Sequence, residues 1–327
     1  MKWIRIIRFV FIISLIGCST QEKEVVFDNK TLENLITDDV LRNPTKILAV
    51  QGGLFVVVDE FGSEGFIKIF EDDWTLLASL GKLGDGPDEF YDYPSILRGE
   101  NNEVFVFDGF KNSLFRLDTD SGALSLEPFE VSEMALIEDV IGVTPTHIIY
   151  QSAGFQDLLV TQSRNTGNAV STVPLSIKNP HFQVSGTDKL VFSSNYLVKK
   201  PDEAKFAAVF NYYDELIIVD ETSIVTHEVI FGDLKYDEGA TIIAFTAVAA
   251  TKDAIYTIYY GKDVLELEEP MTCELLVFDW QGKLQQRLTL DQPLNFLTFD
   301  EQKGILYGLN PMNEDNPIYQ LDLKSSR

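Results

Sequence analysis

Few side chains in this sequence are spaced as catalysis requires. The three histidines, His147, His181 and His227, have neither the HxH nor the HExxH spacing that brings two imidazoles to one metal. The glycine-rich run Gly81-Lys82-Leu83-Gly84-Asp85-Gly86-Pro87 places a lysine among glycines, as a phosphate-cradling loop does. No Ser or Thr follows Lys82 and no helical pattern follows the glycines, so it reads as a tight, exposed connector. The acid pairs Asp72-Asp73 and Glu268-Glu269 read as solvated loop charges. Cys273 opens the apolar run CELLVFDW and reads as a buried thiol, not a nucleophile. What remains is an abundance of tyrosine, which stacks on sugars or packs on peptide while keeping a hydroxyl for hydrogen bonding.

The elements that must position these groups are strands. Runs of four to eight apolar residues alternate with Gly, Asp, Asn and Pro, the mark of an all-β fold. The runs repeat as a unit: LFVVVDE, IKIF and TLLASLG, then VFVFDGF, LFRLD and ALSLEPF. Later copies start at Ile148, Leu190, Ile255 and Gly304. A unit of roughly 40–60 residues holding about four strands is what a propeller blade needs, because one such sheet cannot bury both faces alone. About six units fit residues 45–327, and the last lacks an outer strand. Residues 25–28 (VVFD) are the expected closing strand, pairing the two ends of the chain.

The charge excludes one class of partner. With 51 Asp and Glu against 26 Lys and Arg, the net charge of −25 argues against nucleic acid, whose binding requires cations to neutralise phosphates. Lys2, Arg5 and Arg8 precede a mostly apolar stretch, residues 4–16, too short for a comfortable membrane span, so residues 1–17 read as a targeting signal. The signal ends in Leu15-Ile16-Gly17-Cys18, which resembles the lipobox of bacterial lipoproteins. That resemblance implies acylation of Cys18, anchoring to a lipid bilayer of the cell envelope, expected to be the outer membrane, and a lipidated tether and entry segment over residues 18–44. With Cys18 so used, Cys273 has no partner for an intrachain disulfide.

Gly81 to Phe90, followed by Pro94 and the VFVFD strand, is similar to the G-x-x-G-x-GPGEF signature of TolB-like six-bladed propeller lipoproteins, and more distantly to NHL repeats. The departure is Asp88, where that family has glycine. The resemblance implies a six-bladed β-propeller exported to the envelope.

In such a ring, with strands a to d from the axis outward, the b–c turns and d–a crossings share one rim. That rim is expected to carry Tyr91, Tyr93, Phe110, Lys111, Phe155, Tyr196, Tyr260 and Asn310, enlarged by b–c insertions at 193–213 and 260–271. These side chains either bind a peptide, protein or glycan or plug gaps between blades; Phe61 and Phe90 read as core. No cofactor is implied. The competing reading is a metal-dependent hydrolase: lactonase-type six-bladed propellers hold Ca²⁺ or Zn²⁺ near the axis through carboxylate and amide oxygens. Asp59, Glu60, Asp108, Asn195 and Asn310 are the residues available for it. Asp59 and Asp108 occupy equivalent points in the repeat, where a carboxylate also serves to brace a turn.

Overall fold

A run such as Leu54-Phe-Val-Val-Val-Asp59 is apolar at every position because both faces of its sheet are covered. Phe55 and Val57 point into one neighbouring blade interface and Val56 into the other. Phe105 and Phe107 part from Val104 and Val106 in the same way. Six apolar clusters result, one between each pair of adjacent blades, with no shared central core.

The computed structural model describes residues 25–35, 40–62, 64–86, 89–119, 124–132, 137–154, 156–178, 194–232, 234, 241–267, 271–310 and 312–323. It is a six-bladed propeller of antiparallel meanders. From the axis outward, blade one comprises Pro44–Val50, Leu54–Asp59, Ile67–Phe70 and Leu76–Leu80. Blade two runs Ser95–Arg98, Val104–Asp108, Ser113–Asp118 and Ser125–Phe129, and blade three Ile137–Val143, His147–Ser152, Asp157–Ser163 and Ala169–Pro174. Blade four runs Asn195–Lys199, Lys205–Phe210, Glu215–Asp220 and Ile224–Val229, and blade five Ile242–Ala250, Ile255–Asp263, Cys273–Phe278 and Leu284–Leu290. Blade six is Phe296–Asp300, Ile305–Leu309 and Ile318–Asp322. Inner strands of successive blades touch all the way round the ring.

The N-terminal chain closes the ring, by a different segment from the one expected. Val26–Lys30 adds to blade five as a fifth strand, parallel to Leu284–Leu290. The missing outer strand of blade six is Glu33–Leu35, antiparallel to Ile318–Asp322. Leu32, between the two, is buried against the core of blades five and six, which fixes that register, whereas Val26 and Phe27 stay exposed. A second correction concerns residues 193–213. They hold the first two strands of blade four, not one insertion, and the turn between those strands, 200–204, lies on the opposite rim. Among the described residues no helix is long and apolar enough to cross a membrane.

Candidate functional site

The crossing from blade one to blade two folds back on itself. Lys82–Leu83 pairs in parallel with Glu89–Phe90, and the Glu89 carboxylate accepts from the Gly86 N–H at 2.8 Å. Phe90 is fully buried between the blades, its ring edge-on to Phe115 with centroids 5.4 Å apart. Gly81 takes φ of +70°, and a Cβ there would overlap the Phe90 ring. The glycine is thus required twice, for its left-handed backbone and for the space Phe90 fills. With Phe90 seated inward, Tyr91 and Tyr93 are lifted onto the rim.

Asp108, at the end of the second strand of blade two, ties this crossing to the next turn. It is buried, and its Oδ1 accepts from the Phe110 and Lys111 N–H groups at 3.0 and 2.9 Å, while Oδ2 faces the Tyr91 N–H at 3.4 Å. Lys111 completes the clamp by donating to the Gly86 and Glu89 carbonyls at 3.1 and 2.6 Å, its ammonium 4.8 Å from the Tyr91 ring centroid. Asp59 does the same in blade one, where Oδ1 accepts from the Arg42 and Asn43 N–H groups at 3.0 and 2.7 Å. Asp214 repeats the device in blade four toward Phe231 and Gly232.

These clamps hold apolar side chains out in solvent. Phe61 is 65% exposed, Leu83 69%, Tyr91 53%, Tyr93 43% and Phe110 73%, all on the rim of blades one and two. Leu265 and Met312 stand exposed on the same rim in blades five and six. The turns of the opposite rim are polar, so the two faces of the ring differ in kind. Carboxylates border the patch. Burial, and then repulsion from Asp92, holds Glu60 above the usual carboxylate range, and Asp85 raises the pKa of the Tyr91 hydroxyl.

The other expected site residues are scattered. Tyr260 is buried between blades five and six and donates to the Leu294 carbonyl, so it does not reach the rim. Asn310 is buried and its Oδ1 accepts from the Met312 N–H at 3.1 Å, bracing a turn as Asp108 does. Tyr196 lies on the innermost strand of blade four, half-buried at the edge of the axial channel, packed against the core between blades four and five with its hydroxyl accepting from Asn211 Nδ2 at 3.3 Å. Phe155, Cys18 and His181 fall outside the described residues. Of the residues available for a metal, only Asn195 lines the channel; Asp59 and Asp108 sit on separate blades, each with its Oδ1 accepting from two backbone N–H groups, while Asp59 Oδ2 is buried without a hydrogen-bond partner. Phe61, expected in the core, is exposed, and Leu83, Leu265 and Met312 were missed by sequence reasoning. The signal for them was an apolar residue inside a segment otherwise made of turn residues.

The sequence agrees with this architecture: a family model described as TolB-like 6-blade propeller-like matches residues 22–302. The chain belongs to that family. Solved structures resemble this TolB-like propeller at the level of fold. A protein of Bacteroides fragilis described as exported aligns with TM-score 0.54 and 11% identity, covering 90% of this chain and 98% of its own. A DUF4221 family member from Bacteroides vulgatus gives TM-score 0.55 and 12% identity over 89% and 96% of the two chains. The WD40 repeats of RRP9 give TM-score 0.53 at 9% identity over 89% and 99%. Among curated proteins none matches this chain.

Proposed function

We propose that this protein is an envelope lipoprotein, anchored through Cys18, whose propeller binds a peptide or protein segment on the rim of blades one and two without doing chemistry on it. The observation that carries the reading is the set of five exposed side chains, Phe61, Leu83, Tyr91, Tyr93 and Phe110, on loops pinned by Asp59, Asp108 and Lys111. Exposed apolar groups on a rigid mount cost solvation and are a recurrent feature of interaction sites. Phe61, Leu83 and Phe110 offer no hydroxyl, which favours apolar peptide side chains over a glycan. Glu60, Asp85 and Asp92 at the border suit lysine or arginine in the same ligand. The lipobox resemblance supports the anchor, and the likeness to a protein described as exported agrees with the address.

Peptide arrays probed with the purified propeller test the site. Tyr91→Ala, Tyr93→Ala and Phe110→Ala should each weaken capture of the selected peptides about tenfold or more, as truncating a well-placed aromatic contact does, with melting unchanged. Variants that bind like wild type end the rim assignment. Replacing Cys18 by Ser should release the protein from the membrane fraction; retention there would remove the anchor.

A further inference from the structure

The six inner strands enclose an axial channel of about 1000 Å³. That is the size of a small-molecule pocket and too small for a folded partner. Its walls differ. Blades five and six contribute the half-buried Val248, Ala250, Phe296 and Phe299, while blades one to four contribute Lys46, Ser95, Arg98, Asp139 and Lys199. Lys46 is satisfied, donating to Ser95 Oγ at 2.6 Å and to Asp139 Oδ2 at 3.1 Å.

Arg98 is different. Its guanidinium is largely withdrawn from water, and burial works against its charged form while Glu301 and Asp300 support it from a distance. One nitrogen, Nη2, donates to the Ala49 carbonyl of blade one. Among the described residues it makes no ion pair, and it lines the channel together with Glu301. Lys199 of blade four also lines the channel with no ion pair among the described residues. Its stem runs over Gly142 of blade three, where a Cβ would touch the lysine Cδ at 3.4 Å. A buried guanidinium is ordinarily matched by a carboxylate. Glu138 and Glu301 share the channel wall with these two cations, yet neither cation makes an ion pair among the described residues, and Arg98 has only long-range support from Glu301 and Asp300.

We propose that the channel is a second binding site, separate from the rim, for a small amphipathic carboxylate. The carboxylate accepts from Arg98, two N–H groups to two oxygens, and Lys199 adds charge. The apolar body lies along Val248, Ala250, Phe296 and Phe299. Nothing in the arrangement calls for bond making.

Phenylacetate, 2-phenylethanol and phenethylamine share a ring and differ in head group, so titrating the full propeller with each by calorimetry and saturation-transfer NMR tests the proposal. Phenylacetate should saturate, and the alcohol and the amine should bind at least about tenfold more weakly. Lys199→Met makes no structural hydrogen bond to lose and should reduce phenylacetate affinity about threefold; Arg98→Gln should reduce it tenfold or more, with Arg98→Lys between. Tyr91→Ala should leave it unchanged, which separates this site from the rim. Equal binding of the three probes, no saturation by phenylacetate below about 10 mM, or folded Arg98→Gln and Lys199→Met proteins that bind as wild type would each overturn it.

Discussion

Removing one carboxylate should loosen two loops at once. In Asp108→Ala the Phe110 and Lys111 N–H groups lose an acceptor at 3.0 and 2.9 Å, and Tyr91 a weaker contact at 3.4 Å. A hydrogen bond to a charged group contributes about 1.5–3 kcal/mol, so two good ones set a ceiling of about 3–6 kcal/mol. Two effects reduce this. The cost of burying the carboxylate disappears with it, and Phe110, 73% exposed, sits where water can reach the freed N–H groups. A net loss of about 2–3 kcal/mol follows, or roughly 3–4 °C in melting temperature for a chain of this size. Asp108→Asn keeps Oδ1 as an acceptor and should lose about 1 kcal/mol. Asp220→Ala is the control: that carboxylate also accepts from two backbone N–H groups, of Thr222 and Ser223, but in an exposed turn where water replaces it, so its loss should be smaller. Thermal melts give the energies. Hydrogen exchange should speed up at residues 109–111 and 89–91 in Asp108→Ala and nowhere near blade four. A melting point within 1 °C of wild type, or a larger effect at Asp220, would refute the bracing argument.

Three further outcomes follow from the same structure. Gly81→Ala puts a Cβ into the Phe90 ring and an alanine at φ +70°, and should cost about 2–4 kcal/mol, read from denaturant melts. Deleting residues 25–35 removes the fifth strand of blade five and the outer strand of blade six, exposing Ile318–Asp322 as a bare edge; the truncated protein should melt roughly 10 °C or more lower and aggregate on heating. Burial pushes the Cys273 thiol up to about 12, with Tyr213 also raised to about 12 by burial and then by Glu215. Both groups are neutral in either state below about pH 7.5; above it the unfolded thiol ionises first and the unfolded phenol follows, so stability should fall as pH rises from about 8 toward 12. In the native protein at pH 8, Cys273 should resist a thiol reagent that labels it at once in denaturant.

The sequence alone determined the ring. LFVVVD, VFVFD, ELIIVD and CELLVF are apolar on both faces, and only a radial stack of sheets buries both. The loop from Gly81 to Pro94 was legible as a crossing, and Phe90 as core, because φ-permissive and aromatic residues carry local meaning. The inner strands were not legible. PTKILAV, IEDVIGV and NYLVK border the channel, are half-buried and mix charge with apolar residues, so neither the alternation of a solvated strand nor the continuity of a buried one marks them. Missing them put the turn 200–204 on the wrong rim and left the channel, with Arg98 and Lys199, out of view. Which aromatic ring faces water was likewise decided by packing: Tyr260 ends an apolar run and Tyr91 follows a glycine-rich connector, and both were expected on the rim, yet one meets the Leu294 carbonyl inside blades five and six while the other is held outward by the seating of Phe90. Local composition settles which segments become strands and turns. The position of a side chain relative to the axis depends on how six sheets meet, and that is a property of the closed ring.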